Sequence, residues 1–256
     1  MERRNWNTEH MPDKEAFDKA KQKVIGIDRQ RFGIGTLSEK TVHAVLKNYY
    51  SPNEDNQEIP IENFVADIYS QGEIIEIQTR QFNKLRDKLT AFLPLYPVTI
   101  VYPIPKEKWL IWIDADSGEL SKKRKSPTKG TPYTVFPELY KIKTFLKDPN
   151  IRFRLALLNV EEYKLLNGWS KDKKKGASRY DRIPVEFVQE LEIDCTADYM
   201  QFVPLELEGP FTSKDFAKAA HISVSLAQTV LNILYYVGTV DRVGKKGNMY
   251  LYECDS

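Results

Sequence analysis

The stretch "FVADIYSQGEIIEIQTRQF", residues 64–82, decides how the chain is read. In "NFVADIYS" Phe64, Ala66 and Ile68 alternate with Val65, Asp67 and Tyr69, the period of two that marks a strand. "QGE" supplies a tight turn. In "IIEIQT" Ile75 and Ile77 point one way, while Ile74, Glu76 and Gln78 point the other. Paired as a hairpin, the two strands bring Asp67, Glu76 and Gln78 to one edge. An isolated buried carboxylate is expensive, and two close together cost more. A divalent cation removes that cost, and Asp and Glu oxygens are the hard ligands Mg²⁺ prefers.

The elements on either side extend this reading. Upstream, "EKTVHAVLKNYY" carries Val42, Val45, Leu46 and Tyr49 at helical spacing, with Ser38 as N-cap or Thr36 and Glu39 as a capping box. Glu39, His43 and Lys47 share one face of that helix, either as a substrate-facing row beside Asp67 or as a solvated stripe. Downstream, "QFNKLRDKLTAFLPLY" sets Phe82, Leu85, Leu89 and Phe92 on a helical stripe. "PVTIVYPIP" is the β-branched run of a central strand. "KWLIWIDADSGEL" reads as another strand, "PYTVFPELYKIKTFL" as a helix, and "IRFRLALLNVEEYKLL" begins as a strand. This order predicts an α/β domain with a mixed sheet flanked by helices.

Asp67, eight residues, then Glu76-x-Gln78, set on apolar strands and followed by a helix and a strand, resembles the PD-(D/E)XK nuclease superfamily. The resemblance covers about residues 35–105. It implies a restriction-endonuclease-like fold and, in many members, metal-dependent DNA cleavage. It implies Asp67 and Glu76 as ligands of Mg²⁺ or Mn²⁺, and Glu39 as the extra acidic residue that some members carry on the preceding helix. Gln78 stands where the family usually has lysine. A neutral amide cannot supply that charge, and Arg80 or Lys84 is the expected replacement.

The net charge of +2 hides an asymmetry. Residues 121–182 hold 17 Lys and Arg against 6 Asp and Glu. A basic middle in a near-neutral chain points to a polyanionic partner, here DNA. The candidate contacts are Lys122, Lys123, Arg124 and Lys125 in "SKKRKSPTKG", and Lys173, Lys174, Lys175 and Arg179 in "SKDKKKGASRYDR". Both segments read as surface loops, with Trp169 and Tyr180 available for stacking on bases.

Three regions are expected: a charged extension over 1–32, the nuclease-like part over 33–204, and a C-terminal unit over 205–256. In the last, Thr212 or Ser213 caps "KDFAKAA", "HIS" turns the chain, and "VSLAQTVLNILYYVG" forms a longer helix that Gly238 ends. "TVDRVG" and "NMYLYEC" close the unit as a hairpin. The pattern resembles a winged helix-turn-helix, and the whole arrangement resembles an uncharacterised bacterial family. In a DNA reader Ser225 and Gln228 would lie on the recognition helix, with Lys245 and Lys246 at the wing. Residues 208–256 carry five basic and five acidic side chains, so protein docking or homodimerisation fits this unit as well.

The composition excludes several classes. No apolar run is long enough for a membrane helix, and the N-terminus lacks the apolar core of a secretory signal. Two distant cysteines, Cys195 and Cys254, make neither a disulfide framework nor a zinc quartet. A cytoplasmic location is expected. No GxSxG, P-loop or dinucleotide fingerprint is present, and "GIGTLSEK" lacks the strand that a phosphate loop needs. The expected function is a DNA-binding, metal-dependent nuclease. The alternatives are a catalytically inactive DNA-binding regulator on the same fold, or a protein-interaction module.

Overall fold

The computed structural model describes residues 11–32, 41–168 and 176–254. Helix α1 (Lys14–Phe32) and helix α2 (Thr41–Tyr50) precede the sheet. Strands β1 (Gln57–Ile61), β2 (Phe64–Ser70) and β3 (Glu73–Ile77) follow, then helix α3 (Arg86–Phe92) and the long strand β4 (Val98–Asp114). The short β5 (Arg124–Lys125), a single α-turn α4 (Phe136–Leu139), and the long strands β6 (Ile151–Leu166) and β7 (Ser178–Ile193) complete this part. The strand order is β1-β2-β3-β4-β6-β7, with β5 added beside the outer half of β4. β3–β4 and β4–β6 are parallel and the other pairs antiparallel, so the sheet is mixed.

The hairpin at 64–77 forms as the sequence predicts. Gln71 and Gly72 turn it with φ of 52° and 82°, the two positive values a tight two-residue hairpin requires. Both faces of the sheet are covered. On one, Phe17 and Ala20 of α1 and Val42, Val45 and Leu46 of α2 bury Ile68, Ile77, Val101, Ala156 and Leu158. On the other, Leu89 and Phe92 of α3 and the segment around α4 bury Ile74, Ile100, Tyr102, Leu155 and Leu157. Consecutive strand residues therefore serve opposite cores, and the central strands read as continuous apolar runs.

Five strand assignments differ from the sequence reading. β1 has no counterpart in that reading, and β5 lies in "SKKRKSPTKG", a loop there. "PVTIVYPIP" and "KWLIWID" are one strand of 17 residues, not two. β3 ends opposite Val101 and β5 joins only at Trp109 and Leu110, so between them one side of β4 has no strand partner and tolerates the prolines at 103 and 105. β6 is strand over its whole length. The end of "SKDKKKGASRYDR" is not loop, because β7 begins at Ser178 and pairs with β6 along 16 residues. β4, β6 and β7 thus run on past the other strands as a three-stranded arm.

The C-terminal segment holds helix α5 (Ser213–Ala219), helix α6 (Val224–Val237) and the hairpin β8 (Val240–Lys246) with β9 (Met249–Cys254). Thr212 caps α5 in a box with Asp215, Ser223 caps α6, and Gly238 ends it at φ 89°. Phe211, Phe216, Val230 and Leu234 join the same apolar cluster as Phe136, Leu139 and Phe202. The segment shares its core with the sheet. Among the described residues, no helix is long and apolar enough to cross a membrane.

Candidate functional site

The β2–β3 ladder runs from Ser70↔Glu73 to Ile68↔Ile75 and stops there. β2 continues beside β1 while β3 continues beside β4, so the two strands fork. Asp67 and Glu76 stand at the fork. The Ile77 N–H donates to Asp67 Oδ2 at 2.8 Å, and the Asp67 N–H in turn donates to the Glu76 carboxylate. Side chains thus take over the bonds that the backbone ladder gives up.

Helices on the two faces supply the other polar groups. His43 of α2 places Nε2 3.0 Å from Asp67 Oδ2. Lys88 of α3 donates to both oxygens of Glu76, at 2.9 and 2.8 Å, and to the Val65 carbonyl at 2.7 Å. The three donors of the ammonium meet three acceptors. Lys88 was not among the cations expected from sequence. The readable signal was its position, because 85, 88, 89 and 92 form one helical stripe and a lysine within an apolar stripe requires a buried partner.

The electrostatics follow from this crowding. Glu76 is 3% exposed. Burial and the neighbouring Asp67 charge push its pKa up to about 7, against the pull of Lys88 and the Asp67 N–H. Burial also pushes Asp67 up, but the His43 hydrogen bond and charge, the Ile77 N–H and Lys88 outweigh it and hold Asp67 below the ordinary carboxylate value. One acid of the pair is held ionised and the other is poised near neutrality.

The remaining sequence candidates fall in different places. The Gln78 amide donates to the Arg80 carbonyl of its own chain, and its backbone N–H bonds Val101. Arg80 and Lys84 are exposed, and the cation bonded to Glu76 is Lys88. Lys47 pairs with Glu58. Glu39, Lys173, Lys174 and Lys175 lie outside the described residues. Lys123 pairs with Glu161, Lys125 with Glu107, and both ammonium groups lie over the Trp109 ring. Lys122 and Arg124 are exposed. Ser225, Gln228, Lys245 and Lys246 lie far along the chain from the fork, on α6 and β8. Among the described residues, no group of three or more His, Cys, Asp or Glu is placed to hold a metal ion.

A second polar centre was not foreseen. Glu162 of β6 is 6% exposed and accepts from Arg182 Nε of β7 at 2.7 Å, with Lys164 at 3.7 Å. Burial raises its pKa, but Arg182, Lys108 and Lys164 more than offset this and hold it low. Arg179 and Arg182 line a cavity of about 40 Å³ against Val42, Thr79, Pro103 and Leu158, beside the end of β3. At the start of α2, the Thr41 hydroxyl donates to Asp181 at 2.5 Å and ties the helix to β7. Reading 170–182 as a loop concealed the strand that carries Asp181 and Arg182.

The family comparison maps onto this architecture. The model of a domain of unknown function, DUF8091, matches residues 40–194, from the start of α2 to the end of β7. The chain belongs to the DUF8091 family. The DUF8091 match takes in the fork, Lys88 and the Glu162–Arg182 centre. An uncharacterized protein of Treponema pallidum (strain Nichols) is 27% identical over 167 residues, which is 65% of this chain and 64% of that relative's length. No solved structure matches the chain.

Proposed function

We propose that this DUF8091 protein binds DNA through a restriction-endonuclease-like domain and cleaves phosphodiester bonds at the Asp67–Glu76 pair. The observation that carries the reading is the fork: two carboxylates held where β2 and β3 part, with a lysine clamped on one of them. Supporting it, α2-β1-β2-β3-α3-β4 has the element order expected for that superfamily, with β3 and β4 parallel. The donor chemistry fits a hard divalent cation. Two carboxylates lie close together, and burial, with the charge of Asp67 added, pushes Glu76 up to about 7, a cost that such an ion would offset. Mg²⁺ or Mn²⁺ held there would supply Lewis-acid stabilisation of the phosphodiester and acidify a bound water.

The protein's own groups have distinct tasks in this reading. His43 and the Ile77 N–H hold Asp67 ionised and oriented. Lys88 provides the positive charge that Gln78 lacks, from the helix instead of the strand. Gln78 keeps its amide on the Arg80 carbonyl and so fixes the chain leaving β3. The C-terminal helices and hairpin serve as a winged helix, presenting Ser225 and Gln228 on α6 and Lys245 and Lys246 on β8.

The test is incubation with supercoiled, linear and single-stranded DNA in Mg²⁺ or Mn²⁺. Cleavage that Asp67→Ala and Glu76→Ala each abolish supports the reading. No cleavage of any substrate, or cleavage indifferent to both substitutions, rules out the catalytic claim. A second reading has its own observation. Lys88 already neutralises Glu76, so the fork is stable without a metal, as in a regulator that keeps the fold only to bind DNA. That reading predicts salt-dependent DNA binding that survives Asp67→Ala.

A further inference from the structure

Of the Phe, Tyr and Trp side chains among the described residues, three are exposed: Tyr140 at 52%, Tyr235 at 42% and Tyr250 at 41%. They come from three places in the chain, the segment leaving α4, helix α6 and strand β9, and they gather around one set of cations. The Arg242 guanidinium carbon lies 4.4 Å from the Tyr235 ring centroid and 4.1 Å from that of Tyr250. Lys245 lies over Tyr250 at 5.2 Å. From the segment leaving α4, Lys143 lies 5.9 Å from Tyr140 and 4.6 Å from Tyr236, and Lys147 lies 5.0 Å from Tyr236.

Among the described residues, none of Lys143, Lys147, Arg242 and Lys245 is in an ion pair. Arg242 Nε is buried and has no hydrogen-bond partner. Lys143 donates to the Asn232 amide oxygen at 2.7 Å, and burial, then the Arg242 charge, lower its pKa. α6 carries no charged residue. The acids of the hairpin, Asp241 and Glu253, pair in register on its other face, because Arg242 pairs with Tyr252 and Lys245 with Tyr250. Cations without internal partners attract an external anion. Exposed rings beside them add a demand for flat groups to stack on. An acidic peptide meets only the first demand, and a duplex keeps its bases stacked inside. A single strand offers phosphates and free bases together.

We propose that this face of the C-terminal segment binds single-stranded nucleic acid, stacking bases on Tyr140, Tyr235 and Tyr250 and holding phosphates on the four cations around them. The surface shares no residue with the Asp67–Glu76 fork and needs no metal. It goes beyond the proposed cleavage, and its task differs from duplex readout through Ser225 and Gln228. Arg242 joins the rings of α6 and the hairpin into one surface.

The experiment is fluorescence anisotropy of the full chain in EDTA, across a salt series. The probes are labelled oligodeoxythymidine and oligouridine of about 16 nucleotides and a duplex of the same length, with polyglutamate as competitor. The single strands should bind more tightly than the duplex, and polyglutamate should not displace them. Binding of either sugar supports the surface, and the tighter one tells DNA from RNA. Tyr140→Ala and Tyr235→Ala should each weaken binding about ten-fold and leave the slope of log K against log[salt] unchanged. Lys147→Gln and Lys245→Gln should each reduce that slope by about 0.7. Lys19→Gln, on α1 across the sheet, should change neither quantity. Circular dichroism of each variant separates loss of contact from loss of fold, and the exposed Tyr140 remains informative if Tyr235→Ala is unstable. No single-strand binding, a duplex bound as tightly, displacement by polyglutamate, or affinity unchanged in both tyrosine variants overturns the proposal. Cleavage at the fork is read separately in Mg²⁺, so either claim can fail alone.

Discussion

Lys88 places its ammonium 2.9 and 2.8 Å from the two oxygens of Glu76, a residue buried at the point where β2 and β3 separate. The pair is coupled to a second acid, since Asp67 lies close enough to raise Glu76. Removing the lysine leaves two carboxylates with no cation between them. Lys88→Met should therefore destabilise the fold by about 3 kcal/mol, the cost of stranding one member of a buried pair. Lys88→Met combined with Glu76→Gln should recover much of that loss, because the buried charge is removed with its partner. Urea unfolding of both variants measures it. Equal destabilisation in the single and double variants would count against the pairing.

The C-terminal helices share a core with the sheet, and truncation tests this. Phe136 and Phe202 stack edge to face with centroids 5.0 Å apart, and Tyr133 contacts Phe216 at 6.0 Å. A chain ending at residue 204 uncovers the apolar face around Phe136, Leu139 and Phe202. Exposed patches of that kind drive aggregation or a loosely packed state. The truncated chain is expected to bind ANS and lose near-ultraviolet dichroism. A cooperative unfolding transition like that of the full chain would refute the shared core.

The hairpin and its carboxylates were legible because they depend on local rules: alternation of two, and a Gln-Gly turn that accepts positive φ. Their partners were not, because Lys88 and His43 reach the fork only after helices dock on opposite faces. His43 was at least placed on the correct helical face. β7 was missed because its first residues follow a lysine-rich run, and a strand there is stabilised by pairing with β6, which no local pattern reports. The division of "PVTIVYPIP" from "KWLIWID" failed for a related reason. Proline normally ends a central strand, but between Val101 and Trp109 one side of β4 has no strand partner, so β4 continues.

Gly130 occupies a position where only hydrogen fits. Its N–H donates to the carbonyls of Pro105 and Lys106, at the irregularity in β4. A Cβ there would lie 2.4 Å from the Pro105 oxygen and 2.8 Å from Ile104 Cγ2. The nearest obstacle is backbone, which cannot rotate aside. Gly130→Ala should cost about 1–3 kcal/mol through displacement of β4 or of the chain entering α4. Thermal unfolding against the wild type measures the loss, and an unchanged midpoint would show that this contact is slack.

Glu162 gives a pH dependence with a defined sign. Burial alone would raise its pKa, but Arg182, Lys108 and Lys164 hold it below the ordinary value of 4.5 in the folded protein. The unfolded chain lacks these partners, so it takes up the proton at higher pH than the folded chain does. The stabilisation is therefore fully present above about pH 4.5 and is lost as pH falls through the lower folded value. Other carboxylates also titrate in this range, Asp67 among them, so the wild type alone cannot isolate the effect. Comparison with Glu162→Gln can, because that variant retains a polar neighbour for Arg182 and removes the titration. The stability advantage of the wild type should be constant from pH 7 to 5 and shrink from pH 4.5 downward in denaturant melts at matched ionic strength. An advantage that instead grows as pH falls would mean that Glu162 is protonated in the native cluster, and the cations of the arm would then need another counter-charge.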